Sequence, residues 1–141
     1  VIQYATLCGY KILLTADAGR SGLMEAAEYA PYAGLTLPGI DRFQIPHHGS
    51  RRNVSTEILD IWLGPRSHTM PLVGEEKFQA FVSSAKDDKD HPRKSVVRAF
   101  IHRGGKVFAT EGKCLRTEEN APPRHGWVPA PFLIYPEEQE E

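Results

Sequence analysis

The sequence predicts a single α/β domain followed by a proline-rich, acidic C-terminal extension. Runs of β-type residues alternate with segments whose apolar residues recur at helical spacing, a pattern typical of α/β proteins. The chain has 141 residues, which suits one domain, and 40% of them are hydrophobic, so the chain can bury a core. We place the domain at residues 1–117 and the extension at residues 118–141.

The first half of the domain is predicted to contain a β-hairpin, a helix and a short strand. A Gly-containing loop, Cys8-Gly9-Tyr10, separates the two β-rich runs. Apolar residues three and four positions apart indicate the helix, which Pro31 ends, and Pro46 ends the strand. The predicted bounds are 1–7 and 11–15 for the hairpin strands, 23–30 for the helix and 43–45 for the strand.

The second half is predicted to contain three helices and a final hairpin. Ser55 is a suitable N-cap for the first helix, which Gly64-Pro65 ends. The sequence His91-Pro92 opens the last helix with proline in its first position, and the hairpin turns at Glu111-Gly112. Residues 66–74 are ambiguous, with a strand interrupted at Pro71 as one interpretation. The predicted elements are helices at 58–63, 78–85 and 92–101, and hairpin strands at 106–110 and 113–116.

The composition argues against several classes of function. The 17 Lys and Arg residues against 18 Asp and Glu give a net charge of −1, so bulk charge does not attract nucleic acid, although a local basic patch stays open. No apolar run approaches the about 20 residues of a membrane span. Cys8 and Cys114 have no disulfide or metal-site spacing, which favours a reducing, cytoplasmic location.

The two ends of the chain differ in character. Val1 opens directly in strand-like sequence, and we expect an upstream portion to be missing before it. The extension contains five prolines, which disfavour regular structure, and its acidic end is expected to be solvated. Trp127, Phe132 and Tyr135 could hold the extension on the domain as a strap.

Metal-binding side chains follow two of the predicted strands. Asp17 comes directly after Leu13-Leu14-Thr15, where it could bind a metal or cap the next helix. His47 and His48 follow Phe43-Gln44-Ile45, and imidazoles at a strand end suit Zn²⁺ or a similar ion. Because adjacent side chains diverge, one histidine could bind while the other orients it, or the two could serve two metals. The alternative is a pair of exposed loop histidines.

Weaker candidates lie elsewhere in the chain. His91 is a third candidate ligand, with a helix N-cap or surface position as its alternative. Arg51 and Arg52 follow the two histidines and could hold an anionic substrate such as a phosphodiester, or could simply be solvated.

Four segments together resemble the second half of a metallo-β-lactamase-fold hydrolase. The closest branch includes the hydrolase domain of ComEC-type competence DNA-uptake proteins. The resemblance covers about residues 1–116 and is weak over residues 66–90. The segments that carry it are Leu13–Gly19, Ile45–Ser50, His91-Pro92 and Gly104–Thr110.

The resemblance implies a fold, a cofactor and a reaction. The fold would be the C-terminal half of a four-layer αβ/βα sandwich with metals at one edge of its sheets. Asp17 resembles the family's metal-bridging aspartate, and His48, or less closely His47, resembles its final histidine ligand. The cofactor would be a divalent metal, Zn or alternatively Mn or Fe. The reaction would be hydrolysis of a phosphodiester or a related ester or amide bond by a metal-activated hydroxide.

Two features depart from the family pattern. Ala16 stands where the family usually has glycine, which is tolerable if its φ is negative. The main ligand motif, His-x-His-x-Asp-His, is absent from the 141 residues.

We therefore expect the missing N-terminal half of the same protein to supply that motif. The isolated chain would then be inactive and would bind metal weakly, and self-association or the extension would cover its sheet. The alternative function is a non-catalytic binding or structural module that keeps the outline of the fold. A third hypothesis is a mononuclear site on His47, His48 and His91.

Overall fold

The computed structural model contains a five-stranded mixed sheet with the strand order β1-β2-β3-β4-β5. The structure describes residues 1–118, 121–127 and 129–138. Strands β1 and β2 form an antiparallel hairpin, and each later strand pairs in parallel with the one before it. The strands are β1 (Gln3–Leu7), β2 (Tyr10–Leu14), β3 (Arg42–Ile45), β4 (Phe78–Val82) and β5 (Gly105–Ala109).

One α-helix connects each pair of parallel strands. Because the strands are added in chain order, right-handed connections place all three helices on the same face of the sheet. This architecture confirms the predicted α/β class. The helices are α1 (Arg20–Tyr29), α2 (Thr56–Leu63) and α3 (Lys94–Ile101), with short 3-10 turns at Ala30–Ala33 and His47–Gly49.

The core lies between the helices and the inner face of the sheet. In β4 and β5, buried residues alternate with half-buried ones, as expected for strands with one covered face. Phe100 of α3 makes edge-to-face contacts with Phe43 and Phe78, at centroid distances of 5.3 and 6.4 Å. Trp62 of α2 is fully buried, and its indole N–H donates to the Leu23 carbonyl at 3.2 Å.

The C-terminal extension crosses the outer face of the sheet and then turns around its β5 edge. Arg42 Nε donates to Thr117 Oγ1 at 3.1 Å on the outer face. At the edge, the Leu133 N–H donates to the Val107 carbonyl at 2.7 Å. Beyond the edge, the Tyr135 hydroxyl lies 3.0 Å from His102 Nε2. We call the described residues of this segment, 115–118, 121–127 and 129–138, the strap.

Several predicted elements are confirmed. The hairpin, helices α1 and α2 and strand β3 form close to their expected bounds, and the Ser55 hydroxyl accepts the Ile58 N–H at 3.3 Å as an N-cap. None of the helices in the described part of the chain is long and apolar enough to cross a membrane.

The predicted helix over residues 78–85 is wrong, because this segment forms β4. Phe78, Ala80 and Val82 point into the core, and the alternation is masked because Phe81 on the outer face is also apolar. The spacing of the large residues 78, 81 and 82 therefore imitates a helix. Phe81 stacks on Phe108 of the neighbouring strand, with 5.5 Å between ring centroids.

Two other boundaries also differ from the prediction. After the turn at Glu111-Gly112, residues 113–116 form no strand, because the chain leaves β5 to begin the strap. Helix α3 begins at Lys94, so Pro92 is not its first residue. The preceding segment instead packs on Gly49, whose carbonyl accepts the Arg93 N–H at 3.2 Å. Residues 66–74 form a loop.

Candidate functional site

The candidate site lies where β2, β3 and β4 end. These strands are parallel neighbours, so their carboxyl ends share one edge of the sheet, which is the usual location of ligand sites in α/β proteins. Asp17 follows β2, His47 and His48 follow β3, and Ser83 follows β4.

Asp17 and His47 are brought together at this edge. His47 Nδ1 lies 3.6 Å from Asp17 Oδ1, and the two side chains are 52% and 72% exposed. This separation is long for a hydrogen bond. Two ligand atoms bound to one tetrahedral ion by bonds of about 2.1 Å are about 3.4 Å apart. The pair is within ion-pair distance, and its spacing is also close to that of two ligands of one divalent ion.

The backbone around this pair adopts an unusual conformation. Ala16, His47 and His48 have φ values of 47°, 45° and 56°. This left-handed region costs a non-glycine residue about 1–2 kcal/mol. Such strain tends to cluster at functional sites. An alanine at position 16 was expected to be tolerable only with a negative φ. Because the observed φ is positive, Ala16 is strained where the family's glycine would not be.

Gln44 holds the loop after β2 in place. Its Oε1 accepts the N–H groups of both Thr15 and Ala16, each at 2.9 Å. The Ala16 carbonyl in turn accepts the His47 N–H at 3.0 Å. Gln44 was not identified from the sequence. The signal that could have marked it is a polar amide side chain between the apolar Phe43 and Ile45, both of which are buried.

Arg20 and Asn53 connect the loop after β2 to the loop that follows the histidines. Asn53 Nδ2 donates to the Ala18 carbonyl at 3.0 Å, and Arg20 donates to the carbonyls of Val54 and Arg51 at 3.0 and 3.1 Å. Neither residue is identifiable from the sequence, because no motif marks them.

His48 is oriented by the end of β4. Its Nδ1 lies 2.8 Å from the Ser83 carbonyl. Because a carbonyl accepts, Nδ1 is the protonated nitrogen in the neutral form of the ring, and in that tautomer Nε2 carries the lone pair. Metal-binding histidines commonly have this arrangement. Of the two adjacent histidines, however, it is His47 whose ring contacts the Asp17 carboxylate, so the geometry favours His47 over His48 as the partner of Asp17.

His91 contacts a different carboxylate. Its Nδ1 lies 3.2 Å from Asp88 Oδ2. The pKa of Asp88 is lowered, chiefly because its carboxylate accepts the Asp90 N–H, and His91 adds to the effect. The neighbouring Pro92 packs closely on Gly49. A Cβ added to Gly49 would lie only 2.6 Å from the Cβ of Pro92. The loop therefore supports the histidine turn, while the His91 ring is directed to Asp88.

Within residues 1–118, 121–127 and 129–138, no three His, Cys, Asp or Glu side chains form a group that could hold a metal ion. The structure thus does not bring His47, His48 and His91 together as a mononuclear site. Arg51 and Arg52 are exposed beside the histidine turn, and Cys8 and Cys114 are exposed free thiols.

Comparisons with known proteins give no relative: no protein-family model, curated protein or solved structure matches the chain significantly.

Proposed function

We propose that the chain is the C-terminal half of a metallo-β-lactamase-like hydrolase in which Asp17 and His47 bind a divalent metal ion. The observation that carries this proposal is the 3.6 Å separation of His47 Nδ1 and Asp17 Oδ1 at the carboxyl edge of the sheet. Imidazole and carboxylate ligands suit Zn²⁺, and Mn²⁺ and Fe²⁺ are also compatible.

A divalent ion at this position would supply a water ligand of lowered pKa and would polarise the scissile phosphoryl or carbonyl group. Asp17 and His47 would hold the ion, and Gln44 would fix the loop that carries Asp17. Arg51 and Arg52, exposed beside this edge, would attract an anionic substrate such as a phosphodiester.

Two protein ligands do not complete the coordination shell of a catalytic metal, which normally has three or more. The proposal therefore assigns the remaining ligands to a His-x-His-x-Asp-His motif in an upstream half of the same protein. The outer face of β1 and β2 suits a packed second sheet, because Leu7 and Leu14 there are 60% and 45% exposed. Self-association is the competing way to cover these side chains.

Paramagnetic NMR tests the metal pair in the chain itself. Substoichiometric Mn²⁺ should broaden the amide signals of residues 16–19 and 47–50 more than all others. Asp17→Asn and His47→Ala should abolish this selective broadening. His48→Ala is the matched control and should retain it, because the Asp17–His47 contact does not involve His48.

Broadening centred on residues 86–91, or broadening unchanged in His47→Ala, would contradict the ligand assignment. No selective broadening at all would favour the alternative, a non-catalytic binding or structural module.

In a longer protein that contains the upstream motif, the same two variants should lower phosphodiester, ester or amide hydrolysis by orders of magnitude. The isolated chain should show no turnover above a metal-only blank.

A further inference from the structure

A groove of about 630 Å³ separates the outer face of β4 and β5 from the strap. Its volume is within the usual range for small-molecule sites, about 300–1,000 Å³. Phe81 and Phe108 lie along the sheet side with their rings nearly parallel, at 17°. Trp127 and Phe132 of the strap line the other side and are 39% and 45% exposed. The groove therefore presents flat aromatic surfaces to a ligand.

The groove also carries positive charge. Its described lining includes the cations Lys106, Arg116 and Arg124 and the carboxylate Glu118, which pairs with Arg116. This gives the described lining a formal charge of +2 (three cations less one carboxylate), whereas the whole chain carries −1. Lys106 also pairs with Glu76, a carboxylate outside the lining, at 3.9 Å, so Arg124 makes the larger contribution to the positive charge of the groove. The charge is complementary to an anionic ligand.

The cations lie beside the aromatic rings. Lys106 Nζ is 4.6 Å from the Phe132 centroid, and the Arg124 guanidinium is 4.7 Å from that of Trp127. A ligand that joins a flat ring to an anionic group would therefore meet a stacking surface and a cation together. An acidic peptide would satisfy the cations but would not use the rings.

We propose that this groove binds a nucleotide unit, with its base against the aromatic side chains and its phosphate near Lys106 and Arg124. The ligand could be a free nucleotide or one residue of a single strand, since both offer this chemistry. The groove lies over β4 and β5, whereas Asp17 and His47 follow β2 and β3. The proposal is therefore independent of the metal site.

The experiment uses thymidine monophosphate and a fluorescein-labelled octathymidylate. Binding of the mononucleotide is followed by quenching of tryptophan fluorescence, which reports Trp127 because Trp62 is only 1% exposed. Binding of the oligonucleotide is followed by anisotropy at several salt concentrations. Equal affinity per site would identify a free nucleotide as the ligand, and a much tighter octamer would identify a single strand.

We expect Trp127→Ala to weaken binding at least fivefold, as loss of one base-stacking surface does. Arg124→Glu should weaken it by a similar or larger factor, and this exposed substitution does not disturb the core. Lys89→Glu and Tyr32→Ala are matched controls at exposed positions outside the groove, and both should bind as the natural chain does.

Three results would overturn the proposal: no saturable binding of either probe, binding unaffected by both groove variants, or equally tight binding of octaglutamate. The last result would identify the groove as a surface for acidic peptides.

Discussion

Ala16 adopts a conformation that its side chain disfavours. Its φ of 47° lies in the left-handed region, where the Cβ approaches the following carbonyl. The conformation is maintained from both sides, because Gln44 accepts the Ala16 N–H and the His47 N–H donates to the Ala16 carbonyl. These bonds align the strand ends that bring Asp17 close to His47.

We expect Ala16→Gly to stabilise the chain by about 0.5–1 kcal/mol. Relief of the left-handed strain, about 1–2 kcal/mol, should exceed the extra flexibility that glycine gives the unfolded chain. Ala85→Gly is the control. Because Ala85 does not have a positive φ, this change relieves no strain and should destabilise the chain. Urea denaturation measures both, and a loss of stability in Ala16→Gly would contradict the strain.

Gln44→Leu should destabilise the chain by about 1–3 kcal/mol, because the buried Thr15 N–H loses its acceptor. It should also weaken the selective Mn²⁺ broadening around Asp17. Gln44→Glu keeps an oxygen acceptor and should restore most of both properties. If Gln44→Leu unfolds like the natural chain, the amide does not hold this loop.

The positions of Asp17, His47 and His48 could be predicted, since strand-end residues follow from the apolar runs that precede them. The choice of His47 rather than His48 as the partner of Asp17 could not. It depends on the positive φ values of Ala16 and His47, which local propensity disfavours and distant contacts impose. The same holds for Gln44, whose role arises from a register between two strands.

At the scale of elements, helix and strand periodicity predicted most of the fold but failed for β4. A strand with one covered face alternates apolar and polar residues, but the strap also covers part of the outer face. Phe81 is therefore apolar where alternation would place a polar residue. The strand predicted at residues 113–116 does not form, also because of the strap: this segment crosses the sheet instead of pairing with β5.

Helices α2 and α3 are joined by one buried charge. The Arg103 side chain is 1% exposed, and its Nε lies 3.1 Å from Asp60 Oδ1 and from the Gly64 carbonyl. Its Nη1 donates to the Ala99 carbonyl at 2.7 Å. This guanidinium therefore donates hydrogen bonds to α2, to the Gly64 cap that follows it and to α3.

We expect Arg103→Met to destabilise the chain by about 3 kcal/mol or more, because it removes the partner of Asp60 and of these carbonyls. Arg103→Lys keeps the charge but lacks the planar, multiple-donor guanidinium, so it should recover only part of the lost unfolding free energy. Asp60→Asn should cost less than Arg103→Met, since its amide oxygen can still accept from the guanidinium and the carbonyl partners of Arg103 remain, although the buried charge loses its counter-ion. Thermal unfolding ranks the three, and a nearly neutral Arg103→Met would contradict this role.

At the scale of the whole molecule, the strap joins the outer face, the β5 edge and helix α3. The Leu133 N–H bonds the free edge of β5, which limits edge-to-edge association. On the helical side, the Arg98 guanidinium lies 5.0 Å from the Tyr135 ring centroid. The Tyr135 hydroxyl contacts His102, whose Nδ1 lies 3.1 Å from the Ser67 carbonyl. His102 Nε2 is therefore the acceptor of the tyrosine proton.

Protonation of His102 should weaken this attachment. Burial lowers the pKa of His102 below its ordinary value of 6.5, and the nearby cations Arg66, Arg98 and Arg103 lower it further, against the Ser67 carbonyl, which raises it. The unfolded chain therefore binds the proton more readily than the folded chain does. The resulting stabilisation is complete above pH 6.5 and is lost as the pH falls from there through the folded pKa.

We expect the unfolding free energy to fall on acidification from about pH 7.5 to pH 5, with a smaller fall in His102→Asn, which does not titrate. The hydrogen-exchange protection factor of Leu133, which is corrected for the intrinsic pH dependence of amide exchange, should fall over the same range in the natural chain, because the strap loses its contact on α3. His125→Gln, a change at an exposed histidine within the strap, is the matched control and should leave both responses unaltered. Equal pH dependence in the natural chain and His102→Asn would show that the strap is not attached through a neutral His102.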